Sequence, residues 1–145
     1  MHADFPLPDV SWPPLHPFWE GAASGRLLIP RCDGCDRFDW YPTPSCPACG
    51  ERSRTWVEMS GRATLFSWTV VNHAWIPEFR TNLPFTTGLV ALEEDERVRL
   101  ATMIVDTDAD SLVPDLPVEV TFGPLTFPPS TKRVTAPFFR ARTGF

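Results

Sequence analysis

The chain has four cysteines, arranged as Cys32-x-x-Cys35 and Cys46-x-x-Cys49, with ten residues between the two pairs. A C-x-x-C turn aims two thiolates at one ion, and two such turns close a four-sulfur shell with no open coordination position. That donor set describes a structural tetrahedral metal site. Zinc suits it best, although four sulfurs also accept iron. In a compartment that keeps thiols reduced, metal ligation is favoured over disulfides. A thioredoxin-type redox pair lacks the βαβ context it needs here. In the second knuckle Pro47 restricts the turn, and Gly50 can take positive φ beside the metal. In the first, Asp36 stands where a glycine would suit, and Asp tolerates that conformation better than most residues.

A catalytic centre of the chain's own should show a nucleophile, a base and an orienting group. With the cysteines committed to metal, no spare thiol remains. The histidines are scattered: His2 near the N-terminus, His16 ahead of a short helix, and His73 past a long strand, flanked by Asn72 and Trp75. His73 reads either as a loop histidine capping a barrel mouth or as a polar contact in a ligand or partner channel. The run Asp106-Thr107-Asp108-Ala109-Asp110 is a capped turn, because no downstream carboxylate completes a calcium loop.

The elements that must position these residues are short and punctuated by proline. Residues 1–14 hold Pro6, Pro8, Pro13 and Pro14 and are expected to form an extended arm. A short helix follows, with Pro17 in its first turn, Gly25 at its end, and Phe18, Trp19 and Ala22 on one side. Residues 27–31 read as a short strand into the first knuckle. Helix and metal lobe together span residues 15–55, too few to hold a core without the ion. From Trp56 the pattern turns to period two. Residues 56–71 read as one long strand bent at Gly61, and residues 86–92 and 97–105 as a hairpin with Glu93-Glu94-Asp95-Glu96 at its tip. Residues 118–122 form a fourth strand and 134–140 a fifth, with Pro137 confining the last to an edge. Residues 56–145 are thus a barrel region with a C-terminal tail. The fold class is mainly β: periodicity alone predicts a small barrel or sandwich, and a long bent first strand among five suggests a Greek-key barrel such as the OB-fold.

Several short stretches taken together resemble a known family. They are Pro17-Phe18-Trp19-Glu20, the two knuckles, Tyr41-Pro42, Ser60-Gly61, Ser67-Trp68-Thr69-Val70-Val71-x-His73, Leu83-Pro84-Phe85 and Leu89-Val90-Ala91-Leu92. The chain resembles the DUF35 family over residues 15–140. That resemblance implies a short N-terminal helix and a rubredoxin-like zinc ribbon, followed by a five-stranded OB-fold barrel. It also implies a non-catalytic zinc-binding accessory subunit of a thiolase-like acyl-CoA enzyme, in which the partner carries the nucleophile. The partner would be a thiolase, a lipid-transfer-protein-type thiolase or an aldolase, with a CoA thioester as the substrate of the complex. Such partners are commonly dimers, so a heterotetramer is expected.

Further residues are candidates for contact with CoA, an acyl chain or the partner. Phe66, Trp68, Trp75, Phe79 and Phe85 crowd around a long loop, residues 72–85. They either pack that loop onto the barrel or stay exposed for a partner or an acyl chain. No acid follows Glu119, while Lys132, Arg133, Arg140 and Arg142 are basic. This cationic end either meets CoA phosphates or an acidic partner surface, or is a solvated tail. The contact set is therefore Trp68, His73, Trp75, Phe79, Phe85, Lys132 and Arg133.

Composition excludes other classes. The 145 residues carry 13 basic and 18 acidic side chains, a net charge of -5, and 17 prolines. Four thiolates on one Zn²⁺ add two further negative charges. Zinc ribbons and OB-folds often bind nucleic acid, so single-stranded nucleic acid is the alternative ligand. Both halves of the chain are acidic on balance, with 5 basic and 8 acidic residues in 1–59 and 8 and 10 in 60–145. Clustered cations for a polyanion are absent outside the tail. A hydrophobic content of 43% excludes a disordered chain. No run approaches the length of a membrane-spanning helix, and Met1-His2-Ala3-Asp4-Phe5-Pro6 has neither a basic nor an apolar signal region. A cytoplasmic location is expected.

Overall fold

The computed structural model describes residues 3–143, so His2 lies outside the described residues. A 3-10 turn, Pro13–Leu15, runs into helix α1, His16–Ala23. Pro17 sits in the first turn, where a missing N–H forfeits no intrahelical bond. Past the helix Gly25 takes φ 74°, its N–H reaches Ala22 O at 3.0 Å, and the Arg26 N–H reaches Gly21 O at 2.9 Å. These two bonds form a Schellman cap.

Strands β1, Leu28–Cys32, and β2, Arg54–Glu58, pair antiparallel from Leu28↔Glu58 to Cys32↔Arg54. The knuckle loops leave from the Cys32–Arg54 end of this ribbon. The single strand expected over residues 56–71 is therefore two strands. Trp56 and Val57 belong to the metal ribbon, and β3, Arg62–Val71, belongs to the barrel. Gly61 makes the break. It takes φ 84°, its carbonyl accepts from the Val120 N–H at 2.8 Å, and a Cβ there would collide with the Val120 side chain. The anticipated bend is sharp enough to pass the chain from one sheet to another.

The barrel adds β4, Phe85–Leu92; β5, Arg99–Ile104; β6, Pro117–Thr126; and β7, Arg133–Ala141, closed in the order β3-β4-β5-β7-β6. β3 pairs with β4 along its length, with an irregularity between Leu65 and Ser67 that leaves Phe66 exposed under the Arg99 guanidinium, 3.9 Å from its ring centre. β4 and β5 form the anticipated hairpin, and at its tip Arg97 donates to the Asp95 carboxylate at 2.8 Å. β7 is not the edge strand that Pro137 suggested, since it lies between β5 and β6. Its parallel pairing to β5 is confined to Ile104↔Phe139, where Phe139 O accepts from the Val105 N–H at 2.8 Å. Pro137, two residues earlier, turns its nitrogen the same way, toward a stretch where the β5 ladder is open and no donor is needed.

One apolar core runs through both parts. Leu65, Val90, Leu92, Leu100, Val118 and Phe139 fill the barrel, and Leu15, Phe18, Leu27, Ile29 and Met59 extend the same cluster under α1 and the ribbon. The N-terminal arm is turned rather than extended. Leu7 is buried, the Phe5 ring meets Phe79 edge-on at 6.2 Å, and Asp4 forms an ion pair with Lys132. Folding back lets Phe5 and Leu7 shed water against the barrel. Among the described residues no helix is long and apolar enough to cross a membrane.

Candidate functional site

The two knuckles are built alike. Cys32 O accepts from the Asp36 N–H at 2.9 Å and Cys46 O from the Gly50 N–H at 2.8 Å. Asp36 takes φ 63° and Gly50 φ 81°, so both positions adopt the left-handed conformation expected of them. The four Sγ atoms all lie within 4.8 Å of one another, with Cys32–Cys49 at 3.5 Å and Cys35–Cys46 at 3.7 Å. A tetrahedral Zn²⁺ with bonds of about 2.3 Å sets its sulfurs about 3.8 Å apart, so the thiols fit one ion. The Gly34 N–H points at Cys32 Sγ from 3.4 Å, and a Cβ on Gly34 would stand 2.9 Å from Glu51 Cβ. The N–H groups of Ala48 and Cys49 pull the Cys46 thiol down to about 7. On Cys49 the Glu51 N–H pulls the other way from Cys32 and burial, which together push that thiol up to about 12. A shared cation relieves this crowding of thiolates. Four sulfurs leave no position for water or substrate, which makes the ion structural.

The loops around the cluster are tied to β2. Asp33 accepts from the Ser53 hydroxyl and from Thr55 Oγ1 at 2.6 Å, and these bonds hold its carboxyl below the usual range. Arg54 donates to Asp39 Oδ2 from Nε at 2.8 Å and from Nη2 at 2.5 Å. The same guanidinium reaches the carbonyls of Glu51 and Thr43, both at 3.0 Å. These side chains are 11% and 8% exposed for Arg54 and Asp39, a buried ion pair that locks the second knuckle onto the ribbon.

Beside the ribbon lies a cavity of about 810 Å³ between the barrel, α1, the arm and the Trp40-Tyr41 segment. The barrel wall includes Met103, Leu125, Phe127 and Phe138, and the opposite wall includes Trp19 and Trp40. Trp12 and Tyr41 stack at 6.3 Å and remain 43% and 54% exposed, and both also line the cavity. A second cavity of about 520 Å³ shares Asn82, Phe85, Met103, Leu125 and Phe138 with the first.

Of the contact residues named from sequence, the structure brings Phe79 and Phe85 together in the larger cavity. Phe79 also meets Phe127 edge-on at 5.3 Å. Trp68 is half-buried against the core. His73 stands edge-on to Trp75 at 5.2 Å, and Trp75 is 86% exposed. Lys132 is paired to Asp4, and Arg133 is exposed at the start of β7. None of these five lines either cavity. Sequence reasoning missed Trp12, Trp40 and Tyr41 as cavity residues. Their signal was the concentration of large rings in residues 12–41, more than one eight-residue helix can bury.

Two family models match the chain. One is described as the rubredoxin-like zinc ribbon domain of ChsH2, over residues 19–53, and the other as the C-terminal OB-fold domain of ChsH2, over residues 56–123. A protein of Thermomonospora curvata named probable enoyl-CoA hydratase alpha subunit is 35% identical over 102 residues, covering 70% of this chain. The chain spans only 31% of that relative's length. A DUF35 domain-containing scaffold protein of Methanothermobacter thermautotrophicus is 33% identical over 98 residues, covering 67% of this chain and 71% of the relative. Among solved structures, a chain of the one named Ltp2-ChsH2(DUF35) aldolase superposes with a TM-score of 0.76 and 30% identity, covering 93% of this chain and 98% of that one. A DUF35 protein of Sulfolobus solfataricus, at 13% identity and a TM-score of 0.61, shares the fold. With its zinc ribbon, its closed five-stranded barrel and these matches, the chain belongs to the DUF35 family.

Proposed function

We propose that the protein is a non-catalytic accessory subunit of a thiolase-like acyl-CoA enzyme in the cytoplasm, one that cleaves or condenses its substrate on the partner's nucleophile. The observation that carries this reading is the nearly end-to-end likeness to a chain of the structure named Ltp2-ChsH2(DUF35) aldolase. The distribution of reactive groups supports it. All four thiols sit in one metal cluster. His16 gives Nδ1 to the Val10 carbonyl contact at 3.0 Å and faces Glu20 at 3.6 Å, on the exposed side of α1. His73 has the Trp75 indole as its ring partner.

Cys32, Cys35, Cys46 and Cys49 hold Zn²⁺, which fixes the ribbon against α1 and the barrel. Phe79 and Phe85 contribute to the acyl channel. Trp68, His73 and Trp75 serve the partner contact, and Lys132 and Arg133 the CoA phosphates or the partner. Exposed Trp75 and Ile76 have the character of an interface anchor. With a dimeric partner the assembly is a heterotetramer. Co-expression with a thiolase-like subunit, followed by size-exclusion chromatography with light scattering, tests the assembly. Co-elution at one stoichiometry is the expected result, and two separate peaks at micromolar concentration contradict the reading.

A further inference from the structure

We infer that Arg80 is a positioning residue for the partner contact: its guanidinium closes residues 74–80 into a pre-formed hook that presents Trp75 to a concave apolar pocket on the thiolase-like subunit. This rests on the accessory-subunit reading above and deepens it, by naming what readies the Trp75 contact before the partner arrives. Trp75 is 86% exposed and Ile76 43%, so the largest side chain of the loop keeps its apolar area in water. An exposed ring on a loose loop makes a poor anchor, because binding would first have to order it. The bonds within this loop remove that cost.

Arg80 Nε donates to Ala74 O at 3.0 Å, and Arg80 Nη2 donates to Trp75 O at 3.2 Å. The planar fork thus holds the carbonyls on both sides of the Trp75 Cα, and with them the two peptide planes from which the indole projects. Pro77, its φ set by its ring, opens the 3-10 turn Pro77–Asn82, and the Phe79 N–H donates to Ile76 O at 3.1 Å. Behind the turn Phe79 meets Phe127 edge-on at 5.3 Å and Phe5 at 6.2 Å, and Asn82 Nδ2 donates to Thr126 O at 2.9 Å. The barrel carries the base of the hook, and Arg80 ties its tip back to that base. His73 stands edge-on to the indole at 5.2 Å and narrows its rotation. A single convex ring with Ile76 beside it fits a pocket better than a flat face. The charges of residues 72–85, Glu78 and Arg80, cancel, so the loop offers no cationic excess to an anionic lipid surface.

The test uses the zinc-loaded full chain with Arg80→Ala, Arg80→Lys, Trp75→Ala and the double variant Arg80→Ala with Trp75→Ala. Without partner, exchange of the Phe79 amide, followed by NMR, should quicken at least about tenfold in Arg80→Ala while Tm stays within about 3 °C of the parent. In titrations with the thiolase-like subunit, Arg80→Ala should weaken binding by at least about fivefold. Arg80→Lys, one ammonium that cannot fork two carbonyls, should lie between Arg80→Ala and the parent. In the Trp75→Ala background, Arg80→Ala should cost nothing more, because positioning acts through the ring. Unchanged Phe79 exchange overturns the inference, and so do additive losses, which make Arg80 a direct contact. Trp75-dependent binding to phosphatidylglycerol vesicles, or Trp75-dependent dimerisation of this chain alone, overturns the choice of partner. Should Arg80→Ala fail to fold, Arg80→Lys carries the same exchange and titration measurements. If Phe79 exchange quickens but no partner assembles, the accessory-subunit reading falls and the clamp stands. If the partner co-elutes while Arg80→Ala leaves exchange and affinity unchanged, the outcome is the reverse.

Discussion

Replacing Arg54 with alanine should cripple the metal ribbon without touching a metal ligand. Arg54 and Asp39 are 11% and 8% exposed, so solvent screens their attraction little. The substitution strands the Asp39 carboxylate in the interior, and loss of one partner of a buried pair costs about 3–5 kcal/mol. It also removes the bonds to the Glu51 and Thr43 carbonyls, for about 1 kcal/mol more each as exposed peptide oxygens regain water. The sum approaches the whole stability of a small domain, about 5–15 kcal/mol. Replacing both members, as Arg54→Met with Asp39→Leu, removes the stranded charge and should recover roughly 2–3 kcal/mol. Urea unfolding of the zinc-loaded protein, with the slope held common, measures the ordering of parent, double and single variant. Because zinc binding and folding are linked in such a lobe, competition with a chromogenic chelator should show the same order. A single variant within about 1 kcal/mol of the parent, or a double variant no better than the single, refutes the role given to this pair.

Three other outcomes follow from the structure. Cys46→Ser should abolish stoichiometric zinc and unfold the ribbon, read by metal analysis and by amide exchange in residues 28–58. Acid should release the ion too. The Cys46 thiol is depressed in the fold, so its contribution is present above its ordinary range and lost as pH falls through about 7, and zinc affinity measured from pH 8 to pH 6 should fall throughout. Gly61→Ala should cost about 1–3 kcal/mol in thermal unfolding, because φ 84° and the Val120 side chain both oppose a Cβ. Trp75→Ala, at a ring 86% exposed, should change stability by no more than about 0.5 kcal/mol and lower partner affinity by at least about tenfold in a titration.

Local features of this chain were readable from sequence because their causes are local. Two C-x-x-C turns, a positive φ at Asp36 and Gly50, a helix opened by Pro17 and closed by Gly25, and a hairpin around an acidic tip each depend on a few neighbouring residues. Non-local features were not. Alternation continues across Gly61, so residues 56–71 look like one strand, and only the pairing of Leu28 through Cys32 with 54–58 divides them. Pro137 marks a missing donor but does not say which neighbour lacks an acceptor. Lys132 looked like a free cation until the fold set it beside Asp4. The cavity draws its walls from residues 6 to 139, so no window of sequence contains it. Phe79 and Phe85, named from sequence as contact candidates, line this cavity, and the aromatic companions that sequence reasoning missed, Trp12, Trp40 and Tyr41, come from the N-terminal third.

Acyl-CoA turnover by the reconstituted pair tests the central claim most directly. This chain, a thiolase-like subunit and their mixture are to be assayed separately on the same acyl-CoA thioester. The account predicts no turnover by this chain alone, and a rate in the mixture well above that of the partner alone, lost when Cys46→Ser replaces the parent. Turnover by the zinc-loaded chain alone, or a partner whose rate is indifferent to it, would contradict the account.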